Sequence, residues 1–425
     1  MNLSVKRFLS LFLSIVLIVG VLAACSSEQS GSSTKKSGGK ATVEFWTIAL
    51  QPTFNDYFNN LISKYEGEHP NVKIEWKDYP YDAIQNKLLT SIASGSAPGV
   101  VNLNTEFANQ MGSKGALLDL NKELTQEEKD AYFSGIYKST ELDDKAYALP
   151  WYTALPVLFL NSDLVKKAGL DPNNPPKTES ELNEWGKTIK DKTGAYGYVS
   201  TLEARSFLEQ GFHLLNSDYT KADFNNDGVK EYIKQNVELM KRGIIPKDIP
   251  NYDKQIQMFG SQQVAMIKSS SPFVNKIKTA APDVYKNMVA VPSPVGSADI
   301  RFSNTMNLVV PAKTKYKKES VDFAVYVSNA ENQLAFSKVA STLPSTVASA
   351  KDPFFQKNDG TVESEALAAS ANSLDKATDF YLGVPNANDI NAIINKHLTN
   401  IYLNNANIDQ ELSAAEKEVN DVLKK

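Results

Sequence analysis

The chain has 425 residues, of which 42% are hydrophobic and 22% charged, and 45 basic side chains against 49 acidic ones give a formal charge of -4. The length exceeds what one core usually serves, so two domains are expected. A single cysteine excludes an internal disulfide, and the acidic balance argues against a nucleic-acid partner, which needs a dense basic patch.

Residues 1–24 read as a signal peptide. Lys6-Arg7 gives the positive start, and Phe8 to Ala24 is a mostly apolar run of 17 residues, short for a spanning helix. Leu22-Ala23-Ala24-Cys25 resembles a bacterial lipobox, in which the cysteine is lipidated and becomes the first mature residue. The plainer alternative is an uncleaved anchor with an idle thiol. The lipobox is preferred because the chain has no other cysteine. Removing the leader leaves 43 basic against 49 acidic side chains, or -6. Several acyl chains on one residue anchor firmly, where one chain binds marginally. Ser26 to Lys40 is rich in Ser, Gly and Lys, buries nothing, and reads as a flexible tether reaching about 20 Å on average.

The folded part begins at Ala41. "ATVEFWT" (Ala41–Thr47) alternates as a strand, and Phe54, Tyr57, Phe58, Leu61, Ile62 and Tyr65 follow at helical spacing. "NVKIEWKDY" (Asn71–Tyr79) alternates again. Tyr81, Ile84, Leu88 and Ile92 mark a helix face, Gly95 and Pro98 end it, and "GVVNLN" (Gly99–Asn104) is a short buried strand. Strand and helix in alternation imply a parallel sheet with helices on both faces. "YALPWYTALPVLFLN" (Tyr147–Asn161) is extended. Helices are expected over Ser162–Ala168, Thr178–Asp191 with Thr178 as N-cap, Arg205–Leu215, Val229–Lys241 and Tyr252–Phe259. Gln263–Ile267, Asn287–Val291 and Met306–Val310 read as strands. From Ser320 onward the chain is mostly helical, and Ile390, Ile393, Ile394, His397, Leu398 and Ile401 share one face.

Catalytic signatures fail one by one. His69, His213 and His397 are scattered and none is paired at i, i+4, which disfavours a zinc hydrolase. His397 on an apolar face reads as a packed histidine. No G-x-S-x-G elbow occurs. Gly186-Lys187-Thr188 has the tail of a P-loop, but Glu181 stands where the first glycine belongs. "DFNNDG" (Asp223–Gly228) matches half an EF-hand loop, with Lys234 where a bidentate Glu is required, so it reads as a polar turn before a helix. Asp143-Asp144 is an acid pair in an exposed turn, not a facing pair of glycosidase carboxylates. The basic run from Lys313 to Lys318 reads as a solvated loop. No cofactor and no metal site is expected.

An α/β chain of this kind reads as a binder. Trp46 follows the first strand, and Trp151-Tyr152 lies in the extended segment. Sugar rings pack on such aromatics while polar neighbours hold the hydroxyls. Asn104 and Glu106 follow the third strand, where open parallel sheets bind ligands. For each aromatic alone, core packing is the plainer reading.

At this point the sequence resembles the extracellular solute-binding proteins of carbohydrate ABC transporters, of the maltodextrin- and multiple-sugar-binding type, over essentially the whole chain from the lipobox. "VEFWT" (Val43–Thr47) matches the family's opening strand. "LLTSIASGSAPGVVNLN" (Leu88–Asn104) matches its APDV segment with Gly99 in place of Asp. Asp143–Trp185 is the most specific stretch, with mild departures at Asp144-Lys145, Leu160-Asn161 and Thr178-Glu179. "MFGSQQVAMIKSSS" (Met258–Ser271) and "LPSTVAS" (Leu343–Ser349) also match. The family's glycine pair is missing before the crossing strand, where "RFSNTMNL" (Arg301–Leu308) stands.

The resemblance implies a two-lobed α/β fold of the periplasmic-binding-protein type, each lobe a mainly parallel sheet flanked by helices, joined by hinge strands. It divides the chain into 41–152 with 306–348 and 153–305 with 349–425. It implies a sugar held between the lobes, delivery to membrane permease subunits, no enzyme activity, a monomer, and a site on the outer face of the cytoplasmic membrane held by Cys25. The expected ligand contacts are Trp46, Gln51, Tyr81 and Glu106 from the first lobe, Trp151 and Tyr152 at the hinge, and Arg205, Ser270, Phe273, Asn304 and Tyr381 from the second. The rival readings are a surface-anchored polysaccharide enzyme and a binder of another solute, such as a peptide or polyol.

Overall fold

The computed structural model describes residues 40–424 other than 201, 249, 250 and 358. The expected leader, Cys25 and the tether as far as residue 39 lie outside the described residues. Among the described residues no helix is long and apolar enough to cross a membrane.

The first lobe starts as expected. Strands β1 (Ala41–Ile48), β2 (Val72–Tyr79) and β3 (Val100–Asn104) are joined by helices α1 (Asn55–Glu68) and α2 (Tyr81–Ala93). They run parallel, with Phe45 level with Trp76 on one side and Val100 on the other. Alternation sends Val43 and Phe45 to one face, against Phe58, Tyr65 and Phe323. Trp46 and Ile48 go to the other, against Ile84, Leu103 and Phe107. Both faces are covered, which is why the strand reads as a nearly continuous apolar run. Helix α3 (Thr105–Ser113) follows β3 directly, with Asn104 as N-cap accepting from Phe107 N at 2.8 Å.

The extended segment is two strands. β4 (Leu149–Thr153) completes part of the first sheet, and β5 (Val157–Asn161) opens the second. Helix α4 (Glu179–Thr193) starts at a capping box in which Thr178 Oγ1 accepts from Glu181 N at 3.2 Å. β6 (Tyr196–Val199), α5 (Ala204–Glu209), α6 (Asp227–Lys241), β7 (Val264–Ser269) and β8 (Met288–Pro292) follow. The helix expected over Arg205–Leu215 stops at Glu209, because Gly211 takes φ 80°, the left-handed region that glycine enters most easily. "DFNNDG" is the turn into α6, where Asn226 Oδ1 accepts from Val229 N at 3.0 Å.

The chain then adds β9 (Arg301–Ser303), β10 (Met306–Val309), α7 (Lys317–Ser328), α8 (Ala330–Ala340), β11 (Leu343–Pro344), α9 (Val362–Ala371), β12 (Ala377–Asp379), α10 (Ala387–Asn404) and α11 (Ile408–Leu423). The apolar face of α10 packs into the second-lobe core through Ile390, Ile394 and Leu398. His397 is buried on that helix as expected. Its surroundings are not apolar, however: Nδ1 lies 2.5 Å from Glu411 and Nε2 3.2 Å from Glu418, both on α11.

The first sheet has the order β11-β4-β10-β3-β1-β2 and the second β8-β5-β7-β6. Most strands of each sheet run the same way, as expected, and the exceptions are few. β10 is antiparallel to β3 and β4, and β11 to β4. In the second sheet β6, β7 and β8 run the same way and β5 runs against them. The reason is the repeated crossing. β5 and β10 each arrive from the other lobe and enter their sheet at the hinge end, so they run against the strands that end there, whereas β11 follows α8 within the first lobe. The C-terminal ends of β1, β2 and β3 consequently face the hinge, as do those of β6, β7 and β8.

Candidate ligand-binding cleft

The loops after those strand ends meet across a cavity of roughly 400 Å³. Tyr81, Asn104 and Glu106 line it from the first lobe, and Glu203, Arg205 and Asn391 from the second. The crossing segment Ser303–Met306 lies between them. Four expected contacts therefore share one cavity: Tyr81, Glu106, Arg205 and Asn304. A second cavity, roughly 280 Å³, extends into the second lobe and shares Arg205 and Asn304 with the first. Ser270 lines it, together with Glu209, Lys268 and Arg301.

The side chains are held from behind. Asn104 Nδ2 donates to Tyr81 Oη at 2.7 Å, so the N-cap of α3 also orients the exposed tyrosine. Arg205 Nε lies 3.2 Å from Glu203 Oε2. The start of α5, which carries Arg205, is fixed by Asn395 of α10, whose Oδ1 accepts from Ala204 N at 2.8 Å. Arg301 donates from Nη2 to Ser293 O at 3.1 Å.

The electrostatics suit hydroxyl recognition. Burial pushes the Glu106 carboxyl above its usual range, and this carboxylate has no partner among the described residues. Burial likewise pushes Glu209 up, while Lys268 and Arg205 pull it part of the way back. A partly buried carboxylate short of donors gains from any hydroxyl that reaches it. Guanidinium and amine donors stand beside these acceptors, so one cavity offers both halves of a bidentate contact to neighbouring hydroxyls.

Other expected contacts are corrected. Trp151 is fully buried, stacked on Phe336 with centroids 5.3 Å apart and flanked by Phe45 and Phe58. Phe273 is fully buried beside Phe159 and Phe259. Trp46 is 4% exposed, packs edge-on to Tyr79, and donates from Nε1 to Glu44 at 2.8 Å. Tyr152 packs against Trp151 and Phe336, and burial holds its phenol well above its ordinary pKa range. Trp46, Trp151 and Phe273 are buried in the core, Tyr152 is half-buried against it, and none of the four lines either cavity. Gln51 lies on a separate surface hollow with Trp76, and Tyr381 in a third cavity with His213 and Tyr219. Glu203, Glu209, Lys268, Arg301 and Asn391 are cleft residues that sequence reasoning missed. Nothing distinguishes them along the chain from other surface charges and amides.

A family model described as bacterial extracellular solute-binding protein matches residues 60–362. The chain belongs to the bacterial extracellular solute-binding proteins. This solute-binding protein is 23% identical over 417 residues to the sn-glycerol-3-phosphate-binding periplasmic protein of Shigella dysenteriae, covering 90% of this chain and 93% of that one. It is 23% identical over 344 residues to the arabinooligosaccharide-binding protein of Bacillus subtilis, covering 77% of each. A periplasmic-binding protein from Synechococcus superposes with a TM-score of 0.81 at 26% identity, covering 90% of this chain and 99% of that one. Two lobes about an interlobe cleft are thus the architecture of this solute-binding protein.

Proposed function

We propose that this protein captures a sugar or oligosaccharide between its lobes and delivers it to the permease of an ABC transporter. One observation carries the reading: a single cavity joins Tyr81, Asn104 and Glu106 to Glu203, Arg205 and Asn391 across the crossing segment. A solute that contacts both sides stabilises the closed form by its differential contacts, which is a hinge motion. The arabinooligosaccharide-binding relative supports a carbohydrate. The protein acts as a binder and not as an enzyme, as a monomer, and without a cofactor or nucleic acid. The lobes divide as 41–152 with 306–348 and 153–305 with 349–425. Residues 1–24 are the signal peptide, and Cys25 carries the lipid that holds the protein to the outer face of the cytoplasmic membrane.

Calorimetry of the chain from Ala41 against mono- and oligosaccharides tests the ligand. Saturable heat with a neutral sugar is expected. A second reading, an anionic solute such as a glycerol phosphate, is favoured by Arg205, Lys268 and Arg301 lining one cavity and by the Shigella relative. Binding of sn-glycerol 3-phosphate with no response to any sugar would replace the first reading by the second. For the anchor, Cys25→Ala should abolish lipid labelling and release the protein or leave its precursor. Unchanged labelling and fractionation refute it.

A further inference from the structure

Asp379, at the end of β12, is 7% exposed and forms no ion pair with any described residue. Its carboxylate is instead ringed by hydroxyls. Thr105 Oγ1 and Ser303 Oγ both donate to it, Thr305 Oγ1 donates at 2.9 Å, and Thr305 N donates at 3.2 Å. The ring continues outward: Asn307 Nδ2 donates to Thr105 Oγ1 at 2.9 Å, and Thr153 and Thr305 join Oγ1 to Oγ1 at 2.9 Å. Thr105 is the first residue of helix α3, so this contact lies at the start of that helix.

The donors come from separate passages of the chain. Thr105 belongs to the first lobe, Ser303 and Thr305 to the segment that crosses back into it, and Asp379 to a strand paired with β9. All four also line the cleft cavity, each beside a neighbour that does so too. Thr105 sits between Asn104 and Glu106, Asn304 lies between Ser303 and Thr305, and Asp379 precedes Phe380, which lines the same cavity. Burying a carboxylate without a cation is costly, and only several good donors sustain it. An apolar residue would fill the space at less cost but would not tie three passages to one point.

We infer that Asp379 is a positioning residue: its carboxylate fixes the angle between the lobes and so sets the spacing of Asn104 and Glu106 from Asn304 and Phe380. Burial holds its carboxyl above the usual range, against the pull of its hydroxyl donors. The inference uses the two-lobed fold and not the identity of the solute, so it stands or falls independently of the carbohydrate reading.

The test is the inter-lobe distance distribution in the solute-free protein, measured by pulsed electron resonance. Spin labels go on cysteines placed at exposed Asn60 in α1 and exposed Lys192 in α4, in the full chain with Cys25→Ser, purified in detergent. Asp379→Ala should widen and shift the distribution. Thr105→Val should do the same to a lesser degree, and Thr105→Ser, which keeps the hydroxyl, should restore the wild-type profile. Circular dichroism confirms that each variant is folded. Should Asp379→Ala not fold, Thr105→Val and Ser303→Ala carry the comparison. Distributions that superimpose on the wild type in the folded variants overturn the proposal. So does a Thr105→Ser profile as broad as that of Thr105→Val.

Discussion

Thr153 and Thr305 lie 152 positions apart in the chain, yet their hydroxyl oxygens are 2.9 Å apart and both side chains are buried. Thr153 ends the strand that leaves the first sheet, and Thr305 precedes the strand that returns to it. The two passages are fastened to each other at the crossing itself. The one hydroxyl hydrogen of Thr305 is donated in a hydrogen bond to Asp379 at 2.9 Å, which leaves Thr153 to donate to Thr305.

Thr153→Val therefore removes one donor and leaves the Thr305–Asp379 bond in place. The expected loss is about 1 kcal/mol of unfolding free energy, the usual net value of one hydrogen bond. Denaturant melts of the two proteins check it. Equal stability would mean that the hydroxyl pair contributes nothing.

Trp151 behaves as core. Trp151→Ala should lower stability by about 3–5 kcal/mol, as for other buried aromatics, and leave solute affinity unchanged in the protein that remains folded. Trp151→Phe should cost much less, because the buried indole Nε1 has no hydrogen-bond partner among the described residues. A drop in affinity with normal stability would return Trp151 to the site.

The cleft residues should show the opposite signature. Glu106→Gln and Arg205→Ala each remove a charged hydrogen-bonding group worth about 1.5–3 kcal/mol, or roughly ten-fold or more in affinity. Melting temperatures should stay near the wild-type value, since Glu106 has no partner among the described residues and the Arg205 pair is partly exposed. Calorimetry and melting on the same samples decide between loss of binding and loss of fold.

Acid should loosen the C-terminal hairpin. Glu411 is held below its usual range by Asn400 first and then by His397, and Glu418 by Lys396 first and then by His397. A depressed carboxylate pKa gives stability that is present above the unfolded value, near 4.5, and is lost as the pH falls through the folded value. The melting temperature should therefore fall on acidification below that point. Glu411→Gln should show a shallower fall. An identical acid profile in the variant would mean that this pair is not the source.

The sequence by itself determined the local elements and the class of fold. The alternation in Ala41–Thr47, the Thr178 cap and the Ile390–Ile401 face are local patterns, set by side-chain period and backbone chemistry. Glycine and asparagine signals were equally local, although the left-handed turn at Gly211 cut a helix shorter than its apolar pattern suggested. Position relative to strand ends was also legible, which is why Tyr81, Glu106, Arg205, Ser270 and Asn304 line the connected cavities. Only the tertiary structure decided which face of a strand meets a second layer. Trp46 and Trp151 have the composition of sugar-stacking residues, but both faces of the first sheet are covered and they are packed on opposite sides of it. The direction of β10 was hidden for the same kind of reason, because its orientation follows from where the chain re-enters a lobe. Asp379 was invisible along the chain, since its donors stand 74 to 274 positions away and only the crossing of three passages brings them to one carboxylate.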